Sequence, residues 1–128
     1  QHDAPRHANH QVIVLGGGFD TRALRFAASR PMCKSTWIEL DLPHVIRTKR
    51  NMLRRFCDRR PHFSALMPEL VPCDLNDELE VQKALEQVLL PIGAQGGACI
   101  FVTEAVLLYL NPDRAEAVFK ACFQNHMP

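Results

Sequence analysis

Two short runs in the chain, residues 11–15 (QVIVL) and 98–102 (ACIFV), are apolar at nearly every position. A strand with one face in water alternates apolar and polar residues, so a run without alternation reads as a strand buried on both faces. The first run ends in Gly16, Gly17 and Gly18 and the second in Thr103 and Glu104. Strands of this kind need cover on both sides of their sheet, which amphipathic segments between them can supply.

Those segments are present. After the first run, Asp20 or Thr21 caps a helix whose Ala23, Leu24, Ala27 and Ala28 form an apolar stripe, and Arg30 and Pro31 end it. Residues 36–42 (TWIELDL) set Ile38, Leu40 and Leu42 against Glu39 and Asp41, the alternation of a second strand. Pro43 opens a second helix, residues 43–56, with Val45, Ile46, Met52, Leu53 and Phe56 on one side and Arg47, Arg50 and Arg54 on the other. Residues 61–68 read as a loop, and residues 69–73 (ELVPC) as a short third strand weakened by Pro72, which lacks a ladder N–H. Val81, Ala84, Leu85, Val88 and Leu89 mark a third helix that closes at Pro91, and Gly96 and Gly97 lead into the fourth strand. Asn111, Pro112 and Asp113 open a fourth helix with Ala115, Val118, Phe119, Cys122 and Phe123 on its stripe. Four strands alternating with helices predict an α/β fold: a parallel sheet of about four strands, in three layers, joined by right-handed crossovers. Residues 1–10 read as a polar leader and residues 11–128 as one domain.

The 128 residues carry fifteen Lys and Arg against fourteen Asp and Glu, a net charge of +1, so no global field favours nucleic acid or an anionic membrane. No apolar stretch approaches the roughly 20 residues that span a bilayer, and a cytoplasmic location is expected. Five cysteines without a C-x-x-C pair favour neither a disulfide framework nor a zinc site, and are expected as reduced, mostly buried thiols. His2, His7 and His10 lack ligand spacing, so no metal is expected.

In open parallel sheets ligands bind beyond the carboxyl ends of the strands, where strand order reverses. The glycines 16–18, Asp41, Asp74 and Glu104 all fall at such ends and would share one crevice. The glycines serve either as a cradle that brings backbone N–H groups to a ligand or as a sharp turn. A dinucleotide fingerprint would need a third glycine where Thr21 stands, and Asp20 beside it is unfavourable for a pyrophosphate. Glu39 and Asp41 share a strand face, and either can take the two hydroxyls of a ribose. Asp41 and Asp74 have competing roles as helix caps, and Glu104 must reach solvent or find a cation. The run from Arg47 to Arg60, with Lys49, Arg50, Arg54, Arg55 and Arg59 between, reads as a solvated helix face or as a landing surface for RNA or an acidic partner.

In order along the chain, VLGGGFDTRALR, WIELDLPHVIRTKR, PCDLND and FVTEAVLLYL span most of residues 14–110. With these motifs the chain resembles the leucine carboxyl methyltransferase family of class I S-adenosylmethionine-dependent methyltransferases. The resemblance implies a Rossmann-like methyltransferase fold and S-adenosylmethionine as cofactor. It places Gly16 and Gly18 in the cofactor loop, Asp41 on the ribose hydroxyls, Asp74 and Leu75 near the adenine, and Glu104 near the methionine end. It implies a carboxylate acceptor, protein or small molecule, with the carboxy-terminal leucine of the type 2A protein phosphatase catalytic subunit as one candidate. A related branch methylates a wybutosine-type tRNA base side chain, and a non-catalytic binding module is the alternative of another class. No catalytic acid or base is assigned, because a carboxylate acceptor is already ionised at neutral pH. The family pattern extends before the first strand and beyond the fourth helix, so the domain is expected to be incomplete at both ends, leaving ACIFV as an open edge.

Overall fold

The computed structural model describes residues 10–33, 35–89 and 98–124. Strands β1 (His10–Leu15), β2 (Ser35–Asp41), β3 (Glu69–Pro72) and β4 (Cys99–Thr103) alternate with helices α1 (Arg22–Ser29), α2 (Pro43–Arg59), α3 (Glu78–Val88) and α4 (Pro112–Gln124). The sheet is parallel throughout, in the order β3-β2-β1-β4. Strand order therefore reverses between β1 and β4, and Leu15 pairs in register with both Leu40 and Thr103. Pro72 is tolerated because it is the last residue of β3, an edge strand paired with β2.

Two apolar clusters account for the layers. Ile13, Leu15, Ile38 and Leu40 meet Val81, Leu85, Val118 and Cys122 of α3 and α4 on one face. On the other, Leu24 of α1, Ile46 and Leu53 of α2, and Leu70 of β3 pack together. The stretch expected as a loop folds as a 3-10 helix, Pro61–Leu66, because Phe63 and Leu66 join this second cluster. In α3 the Asp77 carboxylate accepts from the N–H groups of Leu79 and Glu80, and the expected stripe is buried through Val88. In α4 only Val118 and Cys122 of the expected stripe are fully buried, while Phe119 and Phe123 stack on each other at the surface. His2 and His7, Pro91, and Gly96 with Gly97 lie outside the described residues. No helix among the described residues is long and apolar enough to cross a membrane.

The alternation in β2 proves misleading at Glu39. Helix α2 covers that face too, so Glu39 is 4% exposed and pairs with Lys49, itself 3% exposed. Lys49 thus leaves the basic outer face and falls on the buried line of α2 with Ile46, Leu53 and Cys57. Met52, expected on the apolar side, is more than half exposed. Burial pushes the Glu39 carboxyl above the usual carboxylate range, and the Lys49 ammonium opposes that shift. Removing one partner of a buried ion pair strands the other charge, at a cost of about 3–5 kcal/mol.

Among the described cysteines all are free; Cys57, Cys73 and Cys122 are buried and Cys33 is exposed. Burial pushes the Cys73 thiol up to about 12 and the Cys122 thiol up to about 11, so neither forms a thiolate at neutral pH.

Two outcomes are expected. Lys49→Met should lower unfolding stability at neutral pH by about 3–5 kcal/mol in denaturant titration. The deficit should shrink as pH falls toward the ordinary carboxyl value, because a carboxyl raised in the folded state destabilises only above its unfolded pKa. Wild-type stability in the variant would contradict the pairing. Brief alkylation of native protein should label Cys33 and spare Cys73 and Cys122 in peptide mass spectra; labelling of Cys73 at its unfolded rate would contradict its burial.

Candidate functional site

The glycine turn follows from close contacts on both sides. Gly16 adopts φ +70° and donates its N–H to the Leu40 carbonyl at 2.8 Å. A Cβ there would lie 2.5 Å from Val106 Cγ2, so a side chain is excluded by space as well as by backbone conformation. A Cβ on Gly17 would meet the Glu39 carboxylate at 3.0 Å, which places the buried pair directly beneath the turn. Gly18 differs: at φ +50° it has nothing within 4 Å of a Cβ position and faces open space. The chain turns back at Asp20, whose Oδ1 accepts the Arg22 N–H at 2.9 Å, so Asp20 rather than Thr21 satisfies the start of α1.

Asp41, at the end of β2, does not cap α2. Its Oδ2 accepts the Gly18 N–H and its Oδ1 the Leu42 N–H, both at 2.7 Å. Each oxygen keeps a second lone pair, so two acceptor positions remain, held in place beside the open side of Gly18. Asp74, beyond β3, accepts the Asn76 N–H at 2.9 Å and donates its own N–H to Glu80 Oε2 at 2.8 Å. The cap of α3 is Asp77, which leaves Asp74 as part of a braced turn. Leu75 buries its side chain in the α3 cluster.

Glu104, expected to reach solvent or find a cation, does both: its side chain is 67% exposed and it meets a cation from the chain itself. Arg22 donates to both its oxygens, Nη1 at 3.2 Å and Nη2 at 2.7 Å, and its Nε lies 3.0 Å from Asp20. The Arg22 hydrogen bond holds the Glu104 carboxyl below the usual range. Asp20 also meets Arg25 at 3.4 Å, so Asp20 and Glu104 are matched by two guanidinium groups and Asp41 supplies the residual negative charge at the switch point. The residue after Glu104, Ala105, is left-handed at φ 60°, an uncommon conformation for alanine that folds Val106 back onto Gly16. Among the described residues, the buried side-chain oxygen without a hydrogen-bond partner is Thr103 Oγ1, between β1 and the Glu104 turn. Glu39 is not at the crevice surface, so of the two acids on β2 only Asp41 is free to take hydroxyls.

The structure thus draws Gly16, Gly18 and Asp41 together at the ends of β1 and β2, with Glu104 joined to α1 through Arg22. Asp74 and Leu75 stand beyond the neighbouring edge strand. Arg22, Thr103 and Ala105 escape a reading of motifs. One signal for Arg22 was available: a cation in the first turn of a helix opposes the helix dipole and implies a nearby anion. Lys49 carried a similar one, a charge three residues after Ile46 and four before Leu53 on an apolar stripe. Among the described residues no group of His, Cys, Asp and Glu is placed to hold a metal ion.

The donor set suits a cationic ligand with a diol better than a pyrophosphate. The comparisons with known proteins agree in kind. The family model described as leucine carboxyl methyltransferase matches residues 2–123. No curated protein matches the sequence. Among solved structures, a complex of LepI with SAH and a substrate analogue superposes with TM-score 0.54 at 16% identity, covering 98% of this chain and 26% of that one. A LepI complex with SAM gives 0.52 at 16% identity, covering 95% and 25%. The chain spans about a quarter of the length of those structures, and the likeness is one of fold. With nearly all its residues matched and its sheet in the order β3-β2-β1-β4, the chain belongs to the leucine carboxyl methyltransferase family and has the Rossmann-like fold of class I S-adenosylmethionine-dependent methyltransferases.

Proposed function

We propose that residues 11–128 form the S-adenosylmethionine-binding part of a carboxyl O-methyltransferase. Gly16, Gly18, Asp41, Asp74, Leu75 and Glu104 are its cofactor contacts. The observation that carries this reading is the bond from the Gly18 N–H to Asp41 Oδ2. It presents a carboxylate, with acceptor positions unused, next to the open face of a left-handed glycine at the strand-order reversal. S-adenosylmethionine supplies a ribose diol and a methyl group on a sulfonium, from which the methyl passes to a carboxylate oxygen as the electron pair of the broken bond returns to sulfur.

What the chain contributes is placement. Asp41 takes the diol and fixes the position of the sugar. Glu104, kept ionised by Arg22, offers carboxylate oxygens to the ammonium and sulfonium end, and Asp41 supplies the residual negative charge. No residue has to accept a proton, because the acceptor is ionised beforehand, so catalysis rests on alignment and exclusion of water.

For the acceptor we propose the carboxy-terminal leucine of the type 2A protein phosphatase catalytic subunit. In support, Leu108 and Tyr109 stand 85% and 83% exposed on the turn that follows Glu104, an apolar surface beside the end of the site assigned to the cofactor's ammonium and sulfonium. The arginine stretch gives less support to a tRNA acceptor: Lys49 is in the core, Arg50 donates to the Leu70 carbonyl, and Arg60 lies over Phe56.

In calorimetric titration with S-adenosylhomocysteine, Asp41→Ala should bind roughly tenfold to hundredfold more weakly than wild type, the loss of one charge-assisted hydrogen bond. Equal affinities, or no binding by folded wild type, would remove the cofactor assignment. Methyl transfer from labelled S-adenosylmethionine should mark the phosphatase subunit and not a subunit lacking its terminal leucine; equal labelling of both would reject that acceptor.

A further inference from the structure

On the α1/α2 face a groove of about 740 Å³ runs between α1, α2 and the 3-10 helix Pro61–Leu66. Its floor is apolar, formed by Leu24, Ala28, Met52, Leu53, Phe56 and Phe63, and Met52 is 55% exposed there. The groove follows the eight residues of α1, roughly 12 Å, a length that takes two turns of a third helix. Thr21, Arg25 and Ala28 line one wall at the i, i+4, i+7 spacing that such a helix would meet.

The rim is basic. Arg25 lines the groove from α1. Arg55 and Arg59, both exposed, follow Met52 and Phe56 by three residues and so flank the same side of α2. Arg25 is itself paired with Asp20 at 3.4 Å, which Arg22 also holds at 3.0 Å, so the uncompensated charge of the rim is that of Arg55 and Arg59. Asp58 falls on the far face of α2, four residues after Arg54.

We propose that this groove docks an acidic amphipathic helix of a partner protein, aliphatic side chains on the Met52 floor and carboxylates against Arg55 and Arg59. Two features argue against other occupants. Phe56 and Phe63 meet edge to face at 5.1 Å with Arg60 over the Phe56 ring at 4.9 Å, so the ring faces that would stack RNA bases are taken. A second copy using the same face would bring arginines against arginines, which disfavours a symmetric dimer. The proposal does not depend on the cofactor assignment, since none of the groove's side chains is among the proposed cofactor contacts.

The test is fluorescence anisotropy of the complete protein with a labelled synthetic helix of about 14 residues, leucine at i, i+3, i+4 and i+7 and glutamate on its flanks, and the same helix with lysine for glutamate. The glutamate helix should bind at least roughly tenfold tighter than the lysine helix and weaken with added salt. Met52→Glu should lose it, and Arg55→Glu with Arg59→Glu should remove the preference, while both proteins keep wild-type melting and wild-type affinity for S-adenosylhomocysteine. Equal binding of the two helices would overturn the proposal. So would absence of binding by the complete protein, as when its own chain fills the groove. Displacement by a single-stranded RNA that survives Met52→Glu, or a self-association abolished by Met52→Glu, would assign the face to RNA or to a second copy instead.

Discussion

Beneath the glycine turn, Glu39 and Lys49 meet with neither charge in reach of water. A buried carboxylate or a buried ammonium alone would be among the costliest groups a small domain can hold, so each is tolerable only because of the other. That dependence ties α2 to β2, and the site is stacked on the joint. Gly17 rests on the Glu39 carboxylate, and Asp41, two residues along the same strand face, emerges where the strand runs out and takes the Gly18 N–H. The turn is closed from the other side by Val106, which the left-handed Ala105 folds onto Gly16. The crevice is thus clamped between a charge pair below, which crowds any side chain on Gly17, and an apolar contact beside it, which leaves no room for one on Gly16.

The architecture was legible wherever one pattern had one cause. QVIVL lacks alternation because helices cover both faces; ACIFV became the other strand at the order reversal, but Ile100 is 48% exposed, so among the described residues only the Cys99 and Phe101 face of that strand is covered. The stripe of α3 and its start at Asp77 were equally plain. Reading failed where polar residues do core work. Glu39 alternates with Ile38 and Leu40 as a solvent-facing residue would, yet α2 seals its face, and Lys49 belongs to the buried line rather than to the arginines around it. Proximity across the fold explains the remainder: Arg22 and Glu104 are distant in sequence, and periodicity carries no information about which carboxylate a guanidinium will meet. The cap alternatives for Asp41 and Asp74 were settled by neighbours, Leu42 and Asp77, that standard cap preferences rank unequally.

Family membership and crevice chemistry fit together through charge. Asp20 and Glu104 are matched by Arg22 and Arg25, and Asp41 leaves the crevice with a residual negative charge. That polarity is poorly suited to a pyrophosphate and well suited to a ligand that is cationic at one end and carries a diol at the other. The same residue, Arg22, also orders the site in advance: it joins the first turn of α1 to the end of β4, so the two halves of the switch point are aligned before a ligand arrives.

The account stands or falls on where the cofactor lies. Amide chemical-shift mapping of isotope-labelled protein during addition of S-adenosylhomocysteine measures this directly. The account predicts saturable shifts at Gly16, Gly18, Leu42, Leu75, Asn76, Glu104 and Ala105, with α4 and the Met52 groove unmoved. Shifts confined to the groove or to α4, with the glycine turn and Glu104 silent, would contradict it.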